Sequence, residues 1–452
     1  MTFVFPILAI VFLFGLSIFV HELGHFLAAR ALGMVADVFS IGMGPALWKR
    51  KAGGTVWKIG AIPFGGYVAL PQMAPNSILE GDGGDAGSEA RDLPAIAPWR
   101  KIVVALAGAA GNFVFAFLLA AVVWVAGKPS SLQELNAVIG YVAEDSSAAA
   151  AGLAPGDEVI ALNQRPIATW LDLSEAAALA PNDEVTLRVR TVGGDERDIV
   201  LELVATDYGL RVLPGLAGQD PCHVAALMPG LGAEQAGIQP GDQILRYGDQ
   251  EIHSRAHLSQ LVEGAGTEPV EVTVRRGGRE LVIPVAARYD EDSQRYLLGI
   301  QFNILSDLDF TTRSHPTPWA QVKSHAGSIF RVLRALATPS TSGAAAGAVG
   351  GPIFILMMLW LMIKSSFILG LWFTGLLNVN LAIINLLPVP ILDGGHVVMN
   401  LYEWIARRPP PARVLNFLAH AFAVLFIALF LALTFRDSVR HLLPPLRHWF
   451  GG

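Results

Sequence analysis

The most prominent pattern along the chain is a set of long apolar runs separated by polar segments. Residues 3–20 carry no charge, and further runs cover residues 102–126, about 366–392 and about 414–435. Because about 20 apolar residues in a helix span the hydrocarbon core of a bilayer, the pattern predicts four membrane-spanning helices. A cleaved signal peptide fits the first run poorly, since no Lys or Arg precedes Arg30 and no small-residue cleavage site follows.

A shorter apolar stretch, residues 352–363, precedes the third run, and Lys364 separates the two. We interpret this stretch as a re-entrant or interfacial segment, because it is shorter than a full span.

Basic residues between the runs orient the predicted spans. The loop between the first two spans and the loop between the last two are rich in Lys and Arg, which favours the cytosolic side for both. The termini and the long segment between the second and third spans are then predicted to lie outside the cytosol. The basic residues of the two loops are Arg30, Lys49, Arg50, Lys51, Lys58, Arg91, Arg100 and Lys101, and Arg407, Arg408 and Arg413.

The composition agrees with a membrane protein that carries a soluble insert. Of the 452 residues, 53% are hydrophobic and 15% are charged, which excludes a disordered chain and disfavours an ordinary soluble enzyme. The net charge of −6 is unevenly distributed, since residues 130–310 hold 12 Lys+Arg and 28 Asp+Glu, against 20 and 10 elsewhere. The sequence has no block of like charge, so we predict no nucleic-acid partner. Its single cysteine, Cys222, excludes an intramolecular disulfide.

The acidic insert contains an internal repeat. The segment Gly152–Asp157 matches Gly237–Asp242 at an offset of 85, and Val185–Arg190 matches Val270–Arg275. The Gly and Pro residues of the first pair predict a tight turn between a short helix and a strand. The second pair alternates apolar and polar residues as strands do. The insert is therefore predicted to be two copies of one small unit. Each copy either binds an extended peptide along a sheet edge or acts as a spacer or steric plug, and the sequence leaves both open.

A metal-binding pattern lies at the end of the first apolar run. His21-Glu22-Leu23-Gly24-His25 is an H-E-x-x-H motif, in which the two histidines share one helix face and the glutamate lies beside the metal as a general base. Ionisable residues inside a spanning helix are costly and usually face a functional interior. We therefore predict that His21 and His25 bind one zinc ion.

A zinc hydrolase needs a third protein ligand and an open position for water. The best candidate is Asp393, the only carboxylate between Asp309 and Glu403, at the end of the third predicted span. The first and third spans run in the same direction, so both motifs should reach the cytosolic end at similar depth. His396 is the alternative ligand, although we favour a loop position for it. We interpret Asn112 as part of a helix–helix hydrogen bond.

With these residues in place, nearly the whole chain resembles the site-2 proteases, which are intramembrane zinc metalloproteases. It is most similar to the bacterial regulator-of-sigma-E protease class with tandem PDZ domains. The resemblance rests on His21–His25 and Asn385–Gly394, with smaller matches at Phe39–Pro45 and Ile62–Val68. The chain departs from the family at Ala107–Asn112, which lacks the usual proline.

The resemblance implies a polytopic α-helical membrane protein with about four transmembrane helices, a membrane-associated β region and two α/β PDZ domains inserted between spans two and three. The expected order begins with span one and its H-E-x-x-H motif (1–30), the cytosolic, membrane-associated β region (31–99) and span two (100–127). The two PDZ units (130–207 and 208–305) and a linker with a possible amphipathic helix (306–350) follow. The remainder is a re-entrant segment and span three with the Leu-Asp-Gly motif (351–395), a cytosolic loop (396–413), span four (414–436) and a tail (437–452).

The same resemblance implies a function. Zinc held by His21, His25 and Asp393, with Glu22 as general base, would hydrolyse a peptide bond in the transmembrane segment of a pre-trimmed membrane protein. Anti-sigma factors and remnant signal peptides are the expected substrates, in regulated intramembrane proteolysis. Asn385 is expected to bind substrate. Further expected partners are membrane lipid and a PDZ-bound peptide or trimmed substrate end, and the expected location is the bacterial inner membrane with the PDZ units on the periplasmic side.

Two other functions compete with the protease. A non-catalytic scaffold displaying two PDZ units leaves the intramembrane His, Glu and Asp unexplained. A metal transporter usually has repeated halves and broken helices near the midplane, whereas the repeat here lies in the insert.

Overall fold

The computed structural model describes residues 4–73, 93–178, 180–205, 211–291, 293–302, 305, 308–338, 342, 346 and 349–439. Most of the segment 338–350, and the expected tail after residue 439, lie outside the described residues. The chain divides into two compact units. One comprises residues 1–128, 315–338 and 342–452, and the other comprises residues 129–314 and 339–341.

The described helices are numbered in chain order. They are α1 (Val4–Ala31), α2 (Pro98–Ala126), α3 (Ser147–Ala150), α4 (Trp170–Ala178), α5 (Gly232–Ala236), α6 (Arg255–Ala265), α7 (Pro318–Ala337), α8 (Pro352–Ser365), α9 (Phe367–Asn385), α10 (Asp393–Ala406) and α11 (Ala412–Asp437), with one 3-10 turn at Leu132–Glu134.

The described strands are numbered in the same way. They are β1 (Val38–Ala52), β2 (Thr55–Ala69), β3 (Lys128–Ser131), β4 (Ile139–Val142), β5 (Glu158–Leu162), β6 (Arg165–Pro166), β7 (Glu184–Arg190), β8 (Glu196–Glu202), β9 (Val204–Ala205), β10 (Arg211–Val212), β11 (Leu216–Gly218), β12 (Ala226–Leu227), β13 (Gln243–Tyr247), β14 (Gln250–Glu251), β15 (Pro269–Arg276), β16 (Arg279–Ala286), β17 (Arg288–Asp290), β18 (Arg295–Leu297), β19 (Ile300–Gln301) and β20 (Leu308–Ser314).

Within the described part of the chain, four helices are long and apolar enough to cross a membrane. They cover Val4–Ala31, Pro98–Ala126, Phe367–Asn385 and Arg413–Asp437, so each of the four apolar runs contains a helix of sufficient length and hydropathy to span a bilayer. The shorter apolar helix α8 precedes α9, in the position of the expected re-entrant segment. These helices make the first unit a multi-pass membrane bundle.

Helices α1 and α2 pack closely at a glycine. A Cβ atom on Gly24 would collide with the carbonyl oxygen of Ala107. The missing side chain at Gly24 therefore lets the backbone of α2 approach the helix turn that carries His21 and His25.

The third span is shorter than its apolar run. Helix α9 ends at Asn385, and turns occupy the residues up to Leu392, where Pro388 and Pro390 cannot extend a helix. A new helix, α10, then begins at Asp393 and makes residues 396–406 of the expected cytosolic connection (396–413) helical. The sequence did not predict this helix, because a hydropathy pattern detects spanning helices and misses a short amphipathic helix.

The amphipathic segment 318–337 forms helix α7. Its apolar stripe includes Val322, Ile329 and Leu333, and it packs with side chains of α2 and α9 such as Ala116 and Val379. The helix is therefore neither free on the surface nor an isolated linker.

Strands β1 and β2 form a bent antiparallel pair after the first span. Residues 38–41 pair with residues 66–69 on one side and with residues 56–59 on the other. The segment 66–69 is consequently an edge of this sheet. Phe39 is buried and contacts Phe26 and Trp57, which anchors the sheet to α1.

The second unit contains two copies of one arrangement. Each copy has a four-stranded sheet with the same order, β6-β5-β7-β8 in the first and β14-β13-β15-β16 in the second. Each also has a short ladder, β4 with β11 and β12 with β19. The two matching sequence segments thus fold in the same way, each around its own hydrophobic core.

Candidate metal centre

The centre is built on the last three turns of α1. His21 and His25 lie one turn apart on the same face, and their Nε2 atoms are 3.3 Å from each other. Glu22 is 8% exposed and lies on the same turn. The motif is therefore buried within a helix long enough to span a membrane.

Asp393 lies against the two imidazoles, although it belongs to a different helix. Its Oδ2 is 3.4 Å from Nε2 of His21, and its Oδ1 is 3.4 Å from Nε2 of His25. Among the described His, Cys, Asp and Glu residues, these three form the group whose ligand atoms could hold one metal ion. His396, the alternative ligand, is not part of that group.

The three residues fit zinc by donor type and spacing. Two imidazoles and one carboxylate form a common zinc donor set, with metal–ligand distances near 2.0–2.2 Å. Two ligands at such distances in a tetrahedron are separated by about 3.3 Å, close to the separations of 3.3 and 3.4 Å here. The buried Oδ2 of Asp393 accepts no hydrogen bond from the described part of the chain. A cation would satisfy this buried acceptor.

Helix α2 holds the far side of both imidazoles. Nδ1 of His25 lies 2.8 Å from the carbonyl oxygen of Val104. A carbonyl only accepts, so this Nδ1 donates and Nε2 keeps its lone pair for a metal. Nδ1 of His21 lies 3.1 Å from the amide of Asn112. With the amide turned so that its oxygen faces the ring, the same tautomer is selected for His21.

The residue of α2 that lies against the two imidazoles is Gly108, which has no side chain. A Cβ atom on Gly108 would collide with the ring of His25 and lie 2.8 Å from Cε1 of His21. Sequence reasoning missed Gly108 and gave Asn112 only a packing role. The available signal was their spacing, since Val104, Gly108 and Asn112 lie four residues apart and form one stripe on α2.

Two glycines position Asp393. A Cβ atom on Gly394 would collide with the carbonyl oxygens of Leu386 and Leu387, and one on Gly395 would collide with that of Val389. The turn after α9 can therefore fold directly onto the start of α10. This packing fixes the aspartate at the first residue of its helix.

A cavity of about 360 Å³ opens beside the centre. It is lined by His21, Glu22 and Asn385, together with Gly65 and Gly66 of the sheet edge. The structure thus places Asn385 in the same cavity as the motif on α1. A Cβ atom on Gly66 would lie 2.9 Å from Cγ of Glu22, so the sheet backbone closely approaches the glutamate.

Comparison with known proteins identifies the family. The sequence profile of "Peptidase family M50" matches residues 9–429, which is most of the chain. The chain belongs to peptidase family M50. Its resemblance to the site-2 proteases is thereby confirmed.

Curated relatives of this M50 protein agree with the assignment. A protein of Xylella fastidiosa (strain 9a5c) named "Putative zinc metalloprotease" is 29% identical over 89% of this chain and 91% of its own length. A protein of the same description from Neisseria meningitidis serogroup A is 26% identical over 97% of this chain and 99% of its own length. The "Regulator of sigma-E protease RseP" of Escherichia coli K12 is 26% identical over 97% of this chain and 100% of its own length.

The M50 protein is therefore a zinc metalloprotease with several membrane-spanning helices. A solved PDZ domain from Listeria monocytogenes also matches, with 13% identity and a TM-score of 0.17 over 19% of this chain and 90% of that domain.

Proposed function

We propose that this metalloprotease binds its zinc through His21, His25 and Asp393 and cleaves a peptide bond within the transmembrane segment of a membrane protein. The observation that carries the proposal is the joint position of these three donors and Glu22. His21, Glu22 and His25 lie on the candidate span α1, and Asp393 begins α10 beside the two imidazoles. His21 and Glu22 also line the cavity. A protease centre in that position meets a substrate inside the bilayer.

In this proposal a side chain of the protein carries out the proton transfers, and the metal does not. The zinc supplies Lewis acidity, which activates a water and polarises the scissile carbonyl. Glu22, which lines the same cavity as His21, takes a proton from the attacking water and returns it to the leaving amine. Val104 holds His25 in the tautomer that presents Nε2, and Asn112 does the same for His21 when its amide oxygen faces the ring, so the ligands need not reorient during the reaction.

The substrate must unwind before it is cut, because its carbonyls are engaged in helical hydrogen bonds. The edge segment 66–69 is suited to receive an unwound segment by strand pairing. Its close approach to Glu22 supports this role, because a strand added there would pass beside the general base. Asn385, in the same cavity, is suited to bind the substrate backbone or to support the oxyanion.

The two similar units of the insert are assigned as tandem PDZ domains, and their bounds are moved from the expected 130–207 and 208–305 to 130–218 and 219–305, because β11 (Leu216–Gly218) pairs with β4 of the first unit. Support comes from their matching Pro-Gly-Asp turns, at 155–157 and 240–242, and from their identical strand order. On the periplasmic side of the inner membrane they would bind a trimmed substrate end or exclude a substrate whose outer domain is intact. The substrates are then anti-sigma factor-like proteins and remnant signal peptides, cut in regulated intramembrane proteolysis.

The position of the cut tests this function. Purified full-length protein with zinc is combined in proteoliposomes with a single-span membrane protein lacking its outer domain, and the products are mapped by mass spectrometry. We expect one cut inside the transmembrane segment that disappears with a zinc chelator. Cuts confined to residues outside the bilayer would contradict the proposal.

A further inference from the structure

A buried polar group lines the cavity one helical turn from the metal centre. Asn378 of α9 is 1% exposed and lines the cavity together with Ser17 of α1. Ser17 precedes His21 by four residues, which is about 6 Å along the helix axis. The site assigned to zinc chemistry uses neither Asn378 nor Ser17.

The contacts of Asn378 fix the orientation of its amide. Nδ2 donates to the backbone carbonyl oxygen of Thr374 at 2.8 Å and to Oγ of Ser17 at 2.9 Å. The carbonyl can only accept, and the hydroxyl of Ser17 donates to the carbonyl oxygen of Leu13 at 2.8 Å. Rotating the amide by 180° would place two acceptors against each other, so the nitrogen must face this side.

The amide oxygen is left without a donor. No described residue donates to Oδ1 of Asn378, although this atom is buried. A buried acceptor without a partner is costly, and native proteins usually retain such a group for a reason. The other cavity residues near it are mostly apolar, namely Phe14, Ile18, Leu359, Leu377 and Leu381. A donor that reaches Oδ1 from the cavity would therefore find few other polar groups there with which to form a hydrogen bond.

A substrate helix that unwinds in the cavity brings such donors. Unwinding releases backbone N–H groups, and in an apolar setting each one needs an acceptor. A substrate strand that runs along α1 and advances about 3.3 Å per residue covers the offset of about 6 Å between Ser17 and His21 in about two residues. The geometry, the forced amide orientation and the missing donor all agree with a binding site for one backbone N–H.

We propose that Oδ1 of Asn378 accepts a hydrogen bond from a backbone N–H of the unwound substrate, about two residues from the cleaved bond. This inference rests on the proposed intramembrane cleavage. Asn378 would then select substrates that present a free backbone N–H at one position. The identity of the substrate side chain at that position would not matter. Thr374 and Ser17 act as positioning residues for the amide.

A proline scan of the substrate tests the proposal, because proline favours unwinding but has no N–H. Full-length zinc enzyme is assayed in proteoliposomes against single-span substrates with proline at each of four positions on either side of the cut. With the wild-type enzyme, we expect one position at which proline lowers kcat/KM about tenfold relative to its neighbours. With Asn378→Leu, that minimum should disappear while zinc content stays at one per chain.

A matched control is Asn416→Leu, the same substitution on α11, and it should retain the minimum at the same position. A wild-type scan without a minimum would overturn the inference, as would a minimum that Asn378→Leu retains. A wild-type minimum alone does not identify the acceptor, because strand pairing along 66–69 also uses substrate N–H groups. Asn378→Ala is therefore scanned beside Asn378→Leu, so that one variant carries the test if the other does not fold. Failure of the wild-type enzyme to cut any of the substrates would instead contradict the proposed function.

Discussion

Lys101 of α2 and Glu403 of α10 form an ion pair in which Nζ lies 3.1 Å from Oε2. Both side chains are partly buried, at 15% and 26% exposed. The pair connects the helix that holds the two imidazoles to the helix that begins with Asp393. The third candidate ligand thus has a polar tether at the opposite end of its helix.

Removing this tether should loosen the metal centre without abolishing it. Glu403→Gln should weaken zinc binding about fivefold, since a partly buried ion pair contributes about 1 kcal/mol. Competition with a chelator of known affinity measures the change. The double variant Lys101→Glu with Glu403→Lys should recover most of the affinity. Failure of the charge exchange to recover any affinity would argue against a tether.

Gly108 should tolerate no side chain. In Gly108→Ala, the new methyl group would occupy the space of the imidazoles, so His21 and His25 could not keep their positions. We expect zinc affinity to fall by at least about tenfold, as when groups that orient metal ligands are lost. Gly15→Ala on α1 is the control, because a Cβ atom there has no neighbour within 4 Å. Equal zinc affinity in the two variants would contradict the close approach of α2.

The buried aspartate of the second repeat should make local stability depend on pH. Burial alone would raise the pKa of Asp242, but hydrogen bonds from Arg276 and from the backbone N–H of Gln239 outweigh burial and lower that pKa. A lowered folded-state pKa contributes stability above the ordinary pKa of an aspartate, and this stability is lost as pH falls through the lowered value.

Arg276→Ala should therefore speed amide hydrogen exchange in β13 and β15 about tenfold at neutral pH. The difference from the wild-type protein should shrink as the pH is lowered through the Asp242 titration. Arg188→Ala removes an exposed ion pair to Asp198 in the first repeat and should change exchange there by no more than about twofold. A pH-independent effect of Arg276→Ala would argue against the charge of Asp242 as the cause.

The insert should control which substrates reach the centre. Deleting residues 130–305 should allow a membrane protein with an intact outer domain to be cut, because the proposed exclusion by the PDZ units is removed. The rate for a pre-trimmed substrate should change little. Cleavage of both substrates is compared by gel in proteoliposomes. Unchanged discrimination between intact and trimmed substrates would contradict a gating role.

The sequence was sufficient for the parts of the structure that depend on local spacing. His21 and His25 share a face because helical residues four apart must do so, and the apolar runs predict the four spans. Asp393 could be proposed because so few carboxylates occur near it along the chain. Each of these inferences uses the order of residues along one helix or one run.

The support provided by α2 could not be predicted in the same way. The role of Gly108 depends on where two helices cross, and that of Val104 depends on a backbone carbonyl that every residue has. Helix α10 was missed because a hydropathy pattern detects spanning helices and does not detect a short amphipathic helix. Ser17 and Asn378 are 361 residues apart, so only the folded chain shows that they meet.

The most direct test of the central claim is Glu22→Gln, with zinc content and cleavage of a trimmed membrane-spanning substrate measured on the same preparation. The substitution keeps the size of the side chain and removes only its ability to take a proton. We predict that one zinc per chain is retained and that cleavage falls by about 10²- to 10⁴-fold, the usual contribution of a general base. Cleavage at the wild-type rate would contradict the assignment of Glu22 and the proposed mechanism.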